Sequence, residues 1–149
     1  MSGNFTIAAA AALIAVSATA TTAAAAPQPD LIVKFSTSNG RVHLRNEGNK
    51  TSKPSLVTIV CTKISGAGSC PDPDPKLVKK YENPAFPNAA TVKFGGIKGG
   101  KAKNHLLKFW PALAFAPGKY RFTLIADASG TNAESNEGNN TTVVIKTVP

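Results

Sequence analysis

Lys119-Tyr-Arg-Phe-Thr-Leu-Ile-Ala-Asp127 alternates without a break. Tyr120, Phe122, Leu124 and Ala126 fall on one side of an extended chain, and Arg121, Thr123 and Asp127 on the other. Successive side chains of a strand point to opposite faces, so a period of two predicts a strand with one face in a core and the other in water. Pro117-Gly118 just before it is turn chemistry, and Ser129 to Asn140 after it reads as a polar loop. Thr141 to Val148, β-branched at most positions, is a closing strand.

Upstream the same period recurs in shorter pieces. Leu31, Val33 and Phe35 share one face of Leu31–Phe35. Val42 and Leu44 oppose Arg41, His43 and Arg45 in a second strand, which Asn46-Glu-Gly-Asn49 ends. Leu56 to Cys61 is a compact β-branched third strand, turned by Ser65-Gly-Ala-Gly-Ser69. Pro71, Pro73 and Pro75 exclude regular pairing in their segment. Leu77–Tyr81 is a candidate edge strand, where Lys76, Lys79 and Lys80 would discourage association. Ala90–Phe94 and Lys103–Trp110 are further candidates, separated by the glycine-rich loop Gly95–Gly100, and Pro111 to Gly118 crosses over. No segment has sustained helical periodicity. About seven short strands with turn signals between them predict an all-β protein, a β-sandwich over residues 28–149.

Residues 1–25 read differently. Ile7 to Val16 is an unbroken apolar run, Ser17 to Ala26 is almost entirely Ala and Thr, and no charged side chain precedes Asp30. A run of roughly ten apolar residues falls short of the roughly 20 that span a bilayer. Followed by small residues, it is the pattern of a cleavable signal peptide. Ala18 with Ala20, or Ala23 with Ala25, supply small residues at the −3 and −1 positions of a cleavage site. The mature chain then carries the whole net charge of +9, from 17 Lys+Arg and 8 Asp+Glu. It has no second apolar run long enough for an integral membrane span.

Three stretches resemble the CARDB family, the cell-adhesion-related domains found in bacteria. They are Pro29-Asp-Leu-Ile-Val33, then Leu44-Arg-Asn-Glu-Gly-Asn49 with Ser52 and Pro54, and Pro117-Gly-Lys-Tyr120 leading to Asp127 and Glu134-Ser-Asn-Glu137-Gly-Asn-Asn140. The resemblance covers Pro29 to Val148. It implies an immunoglobulin-like β-sandwich exported to the periplasm or cell surface, with Asp127, Glu134, Glu137, Asn139 and Asn140 as a signature loop. Asn132 stands where the family usually has an apolar residue. Family membership of this kind implies little about a ligand, because sandwiches host many functions.

The chemistry-bearing residues point away from catalysis. Gly95 to Lys101 has the glycine and lysine spacing of a phosphate-binding loop, but Ala102 replaces the Mg²⁺-binding hydroxyl and no helix follows. Two scattered histidines give no catalytic triad, and Met1 is the only methionine to serve a copper site. Glu134 and Glu137 on a polar hairpin lack the cleft that glycoside hydrolysis needs. The signature loop could offer Ca²⁺ its oxygens. Without a recognised calcium spacing, its side chains are expected to hydrogen-bond the loop backbone instead, leaving no metal and no cofactor. Trp110 and Tyr120 are expected as core anchors rather than sugar platforms. Cys61 and Cys70, an even pair in an exported chain, are expected to form a disulfide.

From Asn83 to Ala126 there is no acid, while Lys93, Lys98, Lys101, Lys103 and Lys108 lie in the stretch. One-signed surfaces attract polyanions. The expected function is an exported, non-catalytic binding or adhesion module for an acidic envelope polymer or a surface protein; nucleic acid is mostly absent from that compartment. The alternative is a structural accessory subunit of an envelope assembly with no small ligand. N-terminal sequencing of exported material is expected to find the first residue between Thr21 and Pro27, and an intact Met1 there would contradict the leader.

Overall fold

The computed structural model describes residues 25–70, 83, 85–87, 89–107 and 115–149. The apolar leader, the Leu77–Tyr81 candidate strand with Lys76, Lys79 and Lys80, the proline run from Pro71, and Lys108, Trp110 and most of the crossover lie outside the described residues. Seven strands are present: β1 (Leu31–Ser36), β2 (Arg41–Asn46), β3 (Ser55–Gly66), β4 (Ala90–Phe94), β5 (Ala102–Leu106), β6 (Gly118–Ile125) and β7 (Thr141–Val148). They form two antiparallel sheets, β1-β2-β5 and β4-β3-β6-β7. The architecture is the expected all-β sandwich. Lettered A to G in immunoglobulin fashion, β4 pairs with β3, so the fourth strand lies in the sheet of C, F and G rather than beside E.

The core follows the alternation. Leu31, Val33 and Phe35 from β1, Val42 and Leu44 from β2, Val57 and Ile59 from β3, and Val92 and Phe94 from β4 are buried together with Tyr120, Phe122 and Leu124 from β6. Phe115 joins Tyr120 and Phe122 with ring centroids 5.0 and 5.8 Å apart, and Phe35 meets Phe122 from the other sheet at 5.5 Å. Tyr120 is fully buried, and its hydroxyl donates to the Ala116 carbonyl at 2.7 Å. A tyrosine at the start of the sixth strand, bonded to backbone a few residues upstream, is the tyrosine corner of immunoglobulin-like sandwiches.

Beyond shifts of one or two residues at strand ends, two strands differ from their sequence-based bounds. β3 runs on to Gly66, because its second half pairs with the start of β6, from Thr62 opposite Arg121 to Gly66 opposite Gly118. Turn-forming residues thus stay in the strand where a partner takes up their backbone groups, past a register shift between Lys63 and Ser65 and with Gly66 at φ 100°. β5 ends at Leu106, and Leu107 is buried with its amide donating to the Gly40 carbonyl. Cys61 and Cys70 form the disulfide, beside the core.

The sheets are fastened where the β1 and β7 edges meet. On β7, Thr142 Oγ1 donates to the Val33 carbonyl at 2.6 Å and Lys146 Nζ to the Thr37 carbonyl at 3.3 Å, so an edge strand of one sheet supplies donors to an edge of the other. Elsewhere Asn46, fully buried at the end of β2, uses every hydrogen-bonding group it has. Its Oδ1 accepts from the amides of Asp30 and Gly48, each at 3.0 Å. Its Nδ2 donates to the carbonyls of Lys50 at 2.7 Å and Ile97 at 2.8 Å. Gly48 must lack a side chain, since a Cβ would lie 2.3 Å from the Gln28 carbonyl oxygen.

Replacing Asn46 removes a bond from four backbone groups at once, of which the Ile97 carbonyl keeps the Ser52 amide. A buried polar group left unpaired costs about 1–3 kcal/mol, so Asn46→Ala is expected to lose roughly 3 kcal/mol, some of the groups finding water. Asn46→Asp keeps the acceptor but loses both donations and is expected to fall by a similar amount. Urea unfolding midpoints at unchanged slope measure both.

Candidate functional site

None of the seven strands contains an acidic residue. The strands therefore carry positive charge alone. On the solvent face of β1-β2-β5, the register sets Lys34 beside His43 and His43 beside Asn104, with Arg45 next to Ala102 and Arg41 next to Leu106. Arg41 Nη1 donates to Asn104 Oδ1 at 2.8 Å. Arg45 has a loose ion pair with exposed Glu47 at 3.6 Å. The glycine-rich loop adjoins this face, because the Asn46 amide donates to the Lys101 carbonyl and the Gly100 amide to the Asn46 carbonyl.

The lysines singled out from sequence are only partly together. Lys98 and Lys101 are exposed on the loop. Lys103 lies on the inward-turning side of edge strand β5, opposite Leu44, and its Nζ donates to the Gly96 carbonyl at 2.9 Å. Lys93 is exposed on β4 of the other sheet, beside Lys53 in a shallow groove with Leu56 and Thr131. Lys108 lies outside the described residues. The basic members that sequence reasoning passed over, Lys34, Arg41 and Arg45, come from β1 and β2. Their alternation was visible, but that β2 pairs with β5 was not. His43 and His105 occupy neighbouring strands on opposite faces, His105 standing edge-on to Phe94 at 6.3 Å.

The signature loop gathers at the end of the sandwich where β1 begins. Asp127 leaves β6 in a left-handed conformation, φ 42°, which Asp adopts more readily than most residues. Its Oδ2 accepts from the Asn132 amide at 2.6 Å. Asn132, at the position where an apolar residue was the family expectation, is buried, and its Oδ1 holds the Lys53 amide at 2.7 Å. Glu134 reaches the start of β1, where its Oε2 accepts from the Leu31 amide. The Ser135 amide donates to the Pro29 carbonyl, and Asn139 Nδ2 to Asp30 Oδ1 at 2.8 Å. Glu137 Oε1 accepts from the Glu134 amide and its Oε2 from Asn140 Nδ2. A short 3₁₀ turn, Glu137–Asn139, is capped by Asn136.

This loop staples β6–β7 to the start of β1, but not every polar atom is served. Glu134 Oε1, Asp127 Oδ1, Asn139 Oδ1, Asn140 Oδ1 and Asn132 Nδ2 are buried without a hydrogen-bond partner. Burial pushes the Glu134 carboxyl up from 4.5 to about 7, with the charges of Asp127, Glu137 and Asp30 adding to the rise and the Leu31 amide opposing it.

No family model and no curated protein matches the chain. A solved structure to which it is similar is the CARDB domain of a Pyrococcus furiosus protein, crystallised in complex with di-metal ions. The two are 20% identical, with a TM-score of 0.47, over 83% of this chain and 96% of that one.

Glu134 gives the stability a pH dependence of definite sign. Its folded pKa of about 7 exceeds the ordinary 4.5, so between these values the folded chain holds a proton that the unfolded chain has released. Its contribution to stability therefore falls as pH rises from about 4.5 to about 7, and is level above. In chelator-containing buffer, melting curves across this window are expected to show the decline in the wild type, and Glu134→Gln is expected to flatten it.

Proposed function

We propose that the protein is an exported, non-catalytic binding or adhesion module that engages an acidic polymer of the cell envelope through its basic face. One observation carries this reading. The solvent face of β1-β2-β5 and the adjoining glycine-rich loop contain Lys34, Arg41, Arg45, Lys98 and Lys101 with no acid among them, Glu47 being the acid at the border. Lys34, Arg41 and Arg45 stand on paired strands, so their spacing is set by the sheet and little entropy is lost when a repeating anion lies along them. Lysine and arginine at exposed positions act by long-range attraction, which raises the encounter rate and local concentration of a polyanion. Export supplies the compartment in which acidic polysaccharides, and not nucleic acids, are the abundant polyanions. The apolar leader supports export, and among the described residues no helix is long and apolar enough to cross a membrane.

A second reading, an accessory subunit of an envelope assembly, is favoured by β7. This edge strand exposes Val143 at 54% and Ile145 at 50%, flanked by Thr141 and Thr147. An apolar edge offers backbone groups and side chains to another strand.

Retention on an immobilised acidic polysaccharide at low salt tests the first reading. The wild type is expected to bind, and to elute steeply toward physiological salt, where screening acts over about 8 Å. Reversal of Lys98, Lys101 and Lys103 to Glu, and separately of Lys34 and Arg45, is expected to abolish retention with unchanged melting temperature, apart from a small loss at Lys103 from its bond to Gly96. If both reversed proteins bind as the wild type does, the face is only a solvated surface. Self-association on gel filtration, without retention, is the result the second reading expects.

A further inference from the structure

Four of the eight acids, Asp30, Asp127, Glu134 and Glu137, meet at one end of a protein whose net charge is +9. The one ion pair found among the described residues is Arg45–Glu47, so none of the four is neutralised there by Lys or Arg. Two of the carboxylates are more than nine-tenths buried, Asp127 at 6% and Glu134 at 7% exposure. Each has one oxygen fixed by a backbone amide, that of Asn132 or Leu31, and the other without any donor. The amides of Asn139 and Asn140 are oriented by their own NH₂ groups, which donate to Asp30 and Glu137. A flip would turn amide oxygens onto carboxylates, so the orientation is fixed, and the two Oδ1 atoms are left buried and unpartnered.

The orphaned oxygens belong to one locality. The Ala126 amide donates to the Asn140 carbonyl, which sets Asn140 beside Asp127, and the Asp30–Leu31 segment holds both Asn139 and Glu134. The charges of Asp127 and Glu134 are close enough to repel. Buried oxygens without donors are rare in native proteins, and each requires a partner. A proton can serve one carboxylate, but it cannot serve two amide oxygens and a second carboxylate as well. A cation can serve all four.

We propose that Asp127 Oδ1, Glu134 Oε1, Asn139 Oδ1 and Asn140 Oδ1 bind a hard divalent cation, Ca²⁺ in preference to Mg²⁺, which ties the β6–β7 loop to the start of β1. The donor set decides the class. All four are oxygens, two charged and two neutral, with no imidazole or thiolate to favour a transition metal. Among the described residues no three His, Cys, Asp or Glu groups converge as a metal site, and the amide oxygens supply what the carboxylates lack. Ca²⁺ accepts 6–8 oxygens in adaptable geometry, so water completes the shell, whereas Mg²⁺ demands a near-ideal octahedron. With two carboxylates and several waters, the affinity expected is that of extracellular calcium modules, a Kd on the order of 10⁻⁴–10⁻³ M. The inference is independent of the polyanion reading, whose residues lie on other elements.

The test is thermal unfolding and titration calorimetry of the mature protein in chelator, in 10 mM Ca²⁺ and in 10 mM Mg²⁺, a concentration about ten times or more the expected Kd. Ca²⁺ is expected to raise the melting temperature by several degrees and Mg²⁺ by less, because a ligand confined to the native state stabilises it. Asp127→Asn and Glu134→Gln keep shape and the acceptor for the backbone amide while removing a charge. Each is expected to abolish the Ca²⁺ shift and to leave the chelator melting temperature equal to or above that of the wild type. Coincident wild-type melts with no binding heat in either ion, or a shift with Mg²⁺ alone, would overturn the proposal. Loss of stability in chelator for both variants, with the Ca²⁺ shift retained, would also overturn it and return the carboxylates to a structural role.

Discussion

The side-chain amide of Asn46 joins three stretches of backbone that have no strand ladder between them. It takes up the amides of Asp30, just before β1, and Gly48, in the loop after β2, and it holds the carbonyls of Lys50 and Ile97. All four of the bonds that an asparagine side chain can make are made, in a buried place where an unmade one is costly. Two further constraints follow from it. Gly48 has to be glycine because the loop wraps against Gln28 and Asp30, and the glycine-rich loop is held by Gly100 and Lys101 bonding the Asn46 backbone. The position of Asp30 and Leu31 then fixes where Glu134 and Asn139 find their partners. The buried amide thus sets one end of the sandwich, including the polar loop.

Charge is distributed by the same architecture. Strands free of acids give a basic surface, while four acids of the described connections meet at the β1 end. The two ends of the charge scale call for different partners. Exposed cations on a regular sheet suit an extended anion and act at a distance. Buried carboxylate and amide oxygens act only at contact, where desolvation makes an unpaired charge expensive. A cation at the loop and a polyanion on the sheet would therefore be separable in salt dependence as well as in sequence.

Most of the fold was legible from the alternation of residues. Tyr120, Phe122, Leu124 and Ala126, or Val42 and Leu44, bury themselves as a period of two requires, and the disulfide is the expected pairing of the two cysteines. The length of β3 was not legible, because Ser65 and Gly66 have turn chemistry and stay in the strand only through pairing with β6. The proposed basic face was half legible. Lys98 and Lys101 stand exposed on the loop, but Lys93 faces out of the other sheet and Lys103 turns in toward Gly96, while Lys34 and Arg45 lie on earlier strands.

The sequence by itself determined which strand residues face inward, roughly where strands begin, and that positive charge dominates, since these are read from the residues themselves and their near neighbours. Strand partnership was decided only in the tertiary structure. The pairing of β2 with β5 and β3 with β6 joins segments separated by long intervening chain, and local pattern carries no record of such contacts. The same holds for the signature loop. Its asparagines and carboxylates are ordinary loop residues in sequence, and only closure of the loop against Asp30 and Leu31 removes their oxygens from water and leaves some without a donor.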